Sequence, residues 1–213
     1  AWLVDNASAD VGPNAPRLFS KNCQVWEYNQ LKLATIRALQ YFFAAEESGN
    51  VPKSGTDGDL FGLLVKVGAR VMLTSNLTEW KSVHNGSCGV VTSIEPTGSS
   101  GSIGVRFDNG KRLQITRITR EYKKNDEVVG TRTMYPLILA WAVSIHRAQG
   151  ATLDRMVTDL SQCFAKGQAY VALSRVREVQ HLQLQGELKL FKLNNVDKKA
   201  LQWYEECKER SEQ

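Results

Sequence analysis

The stretch from Leu137 to Leu160, LILAWAVSIHRAQGATLDRMVTDL, carries the pattern that decides the fold. Its first part, residues 137–143, is continuously apolar, which is typical of a strand buried on both faces of a parallel sheet. A polar turn with a short helix follows, and residues 156–160 have the composition of a second buried strand. Further along the chain, residues 169–176 predict a helix and residues 182–184 a third strand. The pattern predicts an α/β unit.

The chain before this stretch begins with the same kind of pattern. Arg17–Phe19 predicts a short strand. Asn22 can cap a helix that begins at Cys23, because its side chain can accept a bond from an unpaired backbone N–H. Apolar residues then recur near helical spacing as far as Phe43.

Short strands dominate the middle of the chain. Four segments are rich in apolar or alternating residues, namely 63–74, 89–94, 102–107 and 112–116. The pair Asn109-Gly110 between the last two is a strong hairpin signal, because a primed turn needs positive φ at both central residues. Four or five strands of this length predict a small barrel.

These patterns give an economical domain organisation. One α/β domain has the small barrel inserted into it. The α/β domain is discontinuous and takes residues 17–62 and 134–213, the barrel takes residues 63–133, and residues 1–16 form a lead-in linker. After the barrel and the three later strands, Asp197 is predicted to cap a last amphipathic helix.

The composition is that of an ordinary globular protein. The chain has 213 residues, of which 42% are hydrophobic and 23% are charged. It therefore has material for a core, and it is not a collagen, a coiled coil or a disulfide-rich miniprotein. No apolar run approaches the roughly 18 residues that cross a bilayer. The start at Ala1, without Met or a signal peptide, is interpreted as a cut or processed end.

Cysteine and histidine spacing argues against a metal site. The four cysteines are Cys23, Cys88, Cys163 and Cys207, and none stands at C-x-x-C spacing. The three histidines lie at no zinc-finger offset. We expect a reduced intracellular protein without a bound metal.

The net charge of +5 would suit an acidic partner such as nucleic acid, although many unrelated enzymes carry as much. Residues 111–124 contain six basic residues and one acid, Glu121. A solvated strand face and a phosphate-facing surface account for this run equally well.

Two segments carry a family resemblance. Val143–Asp154 (VSIHRAQGATLD) and Phe164–Val176 (FAKGQAYVALSRV) resemble motifs V and VI of superfamily 1 DNA helicases, specifically the petite-integration-frequency (Pif-type) group and its RecD-like relatives. Arg17–Asn29 resembles the motif IV region. Gly68–Leu77 and Asn85–Val91 resemble the small Src-homology-3-like barrel of that family. The resemblance, which covers about residues 16 to 186, implies a RecA-like (P-loop NTPase-type) second motor lobe with this β-barrel inserted.

The resemblance implies an ATP-facing set of residues. Arg175 would be the arginine finger, since a guanidinium is always charged and offers a planar fork of donors; the alternative is a surface arginine that ends a helix. Gln149, Gly150 and Thr152 would line the nucleotide cleft, or form a simple strand-to-helix turn. Gln168 would support the nucleotide edge. Tyr170 would do so too, or would belong to the core.

The chain lacks a phosphate loop of its own. Gly104–Arg112 only superficially resembles one, because five residues separate its glycines and it lies in a predicted hairpin. We therefore expect ATP and Mg²⁺ to be bound by the full-length enzyme through a missing first lobe, and this chain alone to bind neither and to be inactive.

The resemblance also implies DNA contacts. Ser144 and His146 would donate to phosphates, and Arg147-Ala148 stands where many relatives have Lys-Ser, which keeps the positive charge. Lys21 and Asn22 are candidates in the motif IV turn, although relatives can carry arginine there. Trp80 would stack on a base or pack on the barrel. His84 lies in the same predicted loop.

These implications define the expected function. The chain would be the C-terminal motor lobe of an ATP-dependent helicase that moves 5′ to 3′ on single-stranded DNA. Its partners would be single-stranded DNA and the missing N-terminal lobe, with a monomeric protein, no membrane, and a nuclear or mitochondrial location. The resemblance also implies roles in DNA repair, DNA recombination and telomere maintenance. Two alternatives remain: a stand-alone, non-catalytic module that binds single-stranded nucleic acid, and a protein-binding barrel domain.

Overall fold

The computed structural model describes residues 7, 10–12, 15–51, 62–76, 82–96, 101–186 and 202. The chain divides into two compact units. The first unit consists of Ala1–Val25 and Ala142–Gln213, and the second of Trp26–Trp141. Within the described ranges, no helix is both long enough and apolar enough to cross a membrane.

The first unit is built on a four-stranded parallel sheet. Its strands are β1 (Arg17–Phe19), β12 (Ala142–Ser144), β13 (Met156–Asp159) and β14 (Leu182–Gln185), in the order β12-β1-β13-β14. Each neighbouring pair is parallel. The short helix α2 (Gln168–Leu173) and two 3₁₀ turns connect the later strands.

The core of this sheet confirms the predicted buried strands. Leu18 at the middle of β1 and Met156 at the start of β13 are fully buried, and Leu182 at the start of β14 is 1% exposed. Apolar side chains are buried in all four strands, as expected of a parallel sheet that is covered on both faces.

The second unit is mainly antiparallel. A five-stranded sheet has the order β11-β5-β6-β7-β8, a three-stranded sheet the order β3-β10-β9, and a two-stranded ribbon pairs β2 with β4. The strands are β2 (Gln40–Ala44), β3 (Glu46–Gly49), β4 (Gly62–Lys66), β5 (Arg70–Leu73), β6 (Cys88–Glu95), β7 (Ser102–Phe107), β8 (Arg112–Ile115), β9 (Ile118–Lys124), β10 (Glu127–Met134) and β11 (Leu137–Leu139). One apolar core joins residues of the ribbon, the five-stranded sheet and the preceding helix.

Helix α1 (Asn22–Ala34) is shorter than the sequence predicts. It ends where the Thr35 hydroxyl donates to the Lys32 carbonyl at 2.7 Å and takes over an acceptor at the helix end. The prediction of helix as far as Phe43 is wrong. Residues 40–44 alternate between exposed and half-buried positions, and Tyr41 and Phe43 pack on the core from one face of β2.

The predicted cap at Asn22 is also wrong. Asn22 is the first residue of α1, and the Lys21 carbonyl accepts the N–H of Val25 at 3.3 Å. Lys21 therefore occupies the N-cap position.

Two predicted strands are each divided. The apolar run 137–143 forms β11 in one unit and β12 in the other. The run 63–74 forms β4 and β5, separated by a turn in which Gly68 has φ +90°. A continuous apolar run indicates that its residues are buried, but it does not show where the chain passes from one sheet to another.

The hairpin between β7 and β8 is confirmed, but its turn is of another type. Only Gly110 has positive φ, at +82°, and Asn109 does not. The Phe107 N–H donates to Lys111 and the Gly110 N–H donates to Phe107, which leaves a three-residue loop. Such loops combine an ordinary turn with one left-handed residue. The helix predicted from Asp197 lies outside the described residues.

Candidate functional site

The carboxyl ends of the four parallel strands meet at one edge of the sheet, which we call the carboxyl edge. β1 and β12 are neighbours, with Phe19 opposite Ser144. The N–H of Ile145 donates to the Phe19 carbonyl at 2.9 Å, so the turns that follow these two strands start side by side. Ligands of open α/β sheets bind at such edges.

Five residues predicted to contact DNA belong to these two turns. They are Lys21 and Asn22 after β1, and Ser144, His146 and Arg147 at the end of β12. Lys21, Asn22 and His146 are exposed, and Arg147 is half-buried. The structure thus brings together residues that are more than 120 positions apart in the sequence.

Ser144 differs from the other four. It is 4% exposed, and its hydroxyl accepts the N–H of Arg147 at 3.4 Å. Its carbonyl also accepts the N–H of Ala148. The side chain shapes the turn that presents His146 and Arg147, and direct contact with a phosphate stays a prediction. Ala148 is 2% exposed, so a serine at this position would place its hydroxyl among buried atoms.

Gln168 connects the carboxyl edge to helix α2. The side chain is 3% exposed. Its Oε1 accepts the N–H groups of Phe164 at 3.0 Å and Ala165 at 3.3 Å, and its Nε2 donates to the Ser20 carbonyl at 3.4 Å. The amide is committed to these protein partners, which favours a positioning role; its contact with nucleotide stays a prediction.

Ser20 is a residue of this edge that the sequence reasoning missed. It is 4% exposed, and its hydroxyl donates to the Gln162 carbonyl at 2.9 Å. Through Ser20 the turn after β1 is bonded to the turn after β13. The sequence offered only a small polar residue directly after a strand, which is too common a pattern to single it out.

Arg175 lies just beyond the other end of α2. Its Nε donates to the Val171 carbonyl at 3.0 Å, its Nη1 to the Ala151 carbonyl at 3.2 Å, and its Nη2 to the Ser174 hydroxyl at 2.9 Å. These three partners are neutral, and no carboxylate pairs with Arg175 among the described residues. Because a guanidinium has five N–H donors, two remain for a further acceptor.

The turn that Arg175 holds contains the predicted nucleotide residues Gln149, Gly150 and Thr152. Gln149 and Thr152 are exposed. Gly150 has φ +84°, and a Cβ built on it would meet no atom within 4 Å. Glycine is therefore required for backbone conformation, and the space beside it is open.

The predicted nucleotide residues thus fall into two places. Gln149, Gly150 and Thr152 lie in the turn bonded to Arg175, whereas Gln168 joins the carboxyl edge. The seven residue steps from Gln168 to Arg175 would span about 10 Å if helical throughout. Tyr170 between them is 70% exposed, so its interpretation as a core residue is wrong.

The basic run 111–124 lies in the second unit and is divided by its contacts. Arg117 donates to Glu46 and lies over the Tyr135 ring. Arg120 donates to the Thr74 carbonyl at 2.7 Å. Four others are exposed, namely Lys111, Arg112, Lys123 and Lys124. Only part of the run can therefore form a charged surface.

Two further predicted features lie in this unit. Trp80 lies outside the described residues, and His84 is exposed. Burial raises the pKa of the Cys88 thiol to about 11, while nearby Arg70 works to lower the pKa and Asp108 to raise it. Cys88 is consequently protonated at neutral pH and is a poor nucleophile.

Comparison with known proteins supports the resemblance seen in the motifs. ATP-dependent DNA helicase PIF1 of Homo sapiens is 42% identical over 192 residues, which cover 85% of this chain and 29% of the human protein. ATP-dependent DNA helicase Pif1 of Bdellovibrio bacteriovorus is 33% identical over 177 residues, covering 80% of this chain and 39% of the relative. No family model matches the chain.

Solved structures show the same likeness to Pif1 helicases. The crystal structure of Bacteroides sp Pif1 in complex with ADP-AlF4 matches with a TM-score of 0.77 and 28% identity, covering 98% of this chain and 49% of that one. Bacteroides Pif1 bound to ssDNA matches with a TM-score of 0.72 and 29% identity, covering 99% of this chain and 49% of that one. The chain spans about half of each of these two solved chains, and a smaller share of the human and Bdellovibrio relatives.

The parallel sheet and these likenesses confirm the α/β, RecA-like part of the predicted fold and define a portion of a superfamily 1 helicase. Within that class, the chain corresponds to the C-terminal portion of a Pif1-type helicase.

Proposed function

We propose that the chain is the second motor lobe of an ATP-dependent DNA helicase. It binds single-stranded DNA at the carboxyl edge and supplies Arg175 to ATP held by a first lobe. The observation that carries this proposal is the grouping of four residues directly after the neighbouring parallel strands β1 and β12, namely Lys21, Asn22, His146 and Arg147. The ssDNA and ADP-AlF4 complexes of the Bacteroides relatives support it.

The residues present fit one side of a bound triphosphate. Arg175 has two unused N–H donors and no carboxylate partner in the described part of the chain, so its charge is available to phosphate oxygens. ATP would supply the bond that is hydrolysed, and the first lobe would hold the Mg²⁺ and provide the phosphate loop. Gln149, Gly150 and Thr152 belong to the turn that Arg175 holds, and the space beside Gly150 is open.

The DNA-binding part of the proposal depends on charge at the carboxyl edge. Lys21 and Arg147 neutralise phosphates, and Asn22 and His146 donate hydrogen bonds to them. These contacts fix the strand's register without reading its sequence. Closing and opening of the two lobes around ATP would then move the strand stepwise, in the 5′ to 3′ direction of the family.

We further propose that residues 63–133 form the small Src-homology-3-like barrel inserted in the lobe. The antiparallel strands β5 to β8, which fall within these residues, support this assignment. In the full-length protein the barrel guides DNA or a protein partner.

Salt-dependent binding tests the DNA-binding part directly. We expect the chain to bind a single-stranded oligonucleotide with an affinity that falls as salt rises, because bound phosphates release counterions. Lys21→Gln should reduce the slope of log K against log salt by about 0.7, the value for one phosphate on a single strand.

Arg177→Gln is the matched control. Arg177 belongs to the same unit and its side chain is 68% exposed. It pairs at 3.6 Å with Asp154, which precedes the amino end of β13. Its slope should equal that of the unaltered chain. Absence of binding at every salt concentration would refute the proposal and favour a protein-binding domain.

A further inference from the structure

Phe164 is an exposed aromatic residue at the carboxyl edge. Its side chain is 63% exposed, although the preceding residue, Cys163, is 2% exposed. The segment follows the 3₁₀ turn Leu160–Gln162 after β13, and the Ser20 hydroxyl bonds to that turn at Gln162. The phenyl ring therefore stands in the loop bonded to the turn that carries Lys21 and Asn22.

The backbone beneath this ring is fixed. The Phe164 N–H donates to Oε1 of the buried Gln168 side chain, and Nε2 of the same amide donates to Ser20. Gly167 has φ +72°, and the N–H of Gln168 donates to the Ala165 carbonyl, so residues 165–168 make a tight turn directly after Phe164. The Gln168 side-chain amide thus holds both the loop that carries the Phe164 ring and the turn that carries Lys21 and Asn22.

We propose that Phe164 stacks on a base of the single strand bound at the carboxyl edge. The proposal rests on the proposed DNA-binding function and adds a base contact to its phosphate contacts. An aromatic ring beside a basic, hydrogen-bonding edge is the combination that single-strand binding uses, because every base has a π-face and stacking tolerates any sequence. Pre-ordering of the loop lowers the entropy lost when the ring engages a base.

The test compares two single-stranded oligonucleotides of equal length, oligo(dT) and a fully abasic strand with the same phosphates. In the complete 213-residue chain, Phe164→Ala should weaken oligo(dT) binding by at least about fivefold, the lower end of the stacking range. It should leave binding to the abasic strand and the salt slope unchanged. Phe164→Trp should keep oligo(dT) affinity, and Phe164→Leu, which retains apolar bulk without a ring, should not.

Phe42→Ala is the matched control, since its phenyl ring is 58% exposed but lies on β2 in the second unit. It should bind both strands as the unaltered chain does. Equal losses of Phe164→Ala on oligo(dT) and the abasic strand, or no loss on either, would overturn the stacking proposal while DNA binding stands. If the unaltered chain binds neither strand at low salt, the proposed function itself fails and the stacking proposal fails with it.

Discussion

The type of a polar residue does not reveal where its side chain points. Ser144 and Gln168 have the donors that a ligand site needs, and the sequence predicted both as ligand contacts. The structure turns the hydroxyl and the amide inward, onto backbone groups of their own turns. Buried polar groups must find partners, and the nearest orphaned backbone groups supply them. Lys21 and His146 have no such demand and remain exposed.

Gly110 serves as a control for Gly150, because it separates a functional role of Gly150 from the backbone conformation that both glycines share. Gly110 and Gly150 have φ of +82° and +84°, and neither has an atom within 4 Å of a built Cβ. Gly110→Ala and Gly150→Ala should therefore destabilise the protein equally, by about 1–2 kcal/mol, as measured by denaturant unfolding. Only Gly150→Ala should also lower DNA-stimulated ATPase activity in the full-length protein. Equal activity of the two variants would show that Gly150 serves the fold alone.

Secondary-structure elements were predictable where one local pattern dominated. β1, β13, β14 and the β7–β8 hairpin match their predicted positions closely, because each is a short apolar or alternating run with turn residues beside it. The end of α1 and the break at Trp141 were not predictable. Phe43 fits both the helical spacing that precedes it and the two-residue period of a strand. The apolar run 137–143 is continuous, so its sequence does not show where the chain passes from one sheet to the next.

The side-chain amide of Gln168 links helix α2 to the carboxyl edge. Gln168→Met keeps the volume and removes three hydrogen bonds, so it should reduce the free energy of unfolding by about 1–3 kcal/mol. Hydrogen exchange should accelerate at the Phe164 and Ala165 amides, which lose their acceptor.

Gln185→Met provides the comparison for this variant. Its amide accepts from Arg17 at 2.7 Å on the exposed end of β14, and its loss should cost less than about 0.5 kcal/mol. Unchanged exchange at Phe164 and Ala165 in Gln168→Met would contradict the positioning role.

The whole chain matches only part of a Pif1 helicase, and the proposed function makes it one of two motor lobes. It covers 49% of the Bacteroides Pif1 chain, and its sequence has no phosphate loop. The motifs predicted the family and the class of the parallel sheet. They did not predict that the Gln168 side chain is buried and bonded to Ser20 in the turn after β1, because a motif does not show which backbone groups a polar side chain meets.

The central claim is that Arg175 completes an ATP site built on another lobe. The most direct test measures the DNA-stimulated ATPase activity of the full-length protein carrying Arg175→Ala or Arg175→Lys. Both variants should lose about 10³- to 10⁵-fold in kcat, the range for an arginine finger, since lysine lacks the planar fork of donors. Thermal unfolding should confirm that both variants fold, and Arg177→Ala should hydrolyse ATP normally. ATPase activity of Arg175→Ala at the unaltered level would contradict the account.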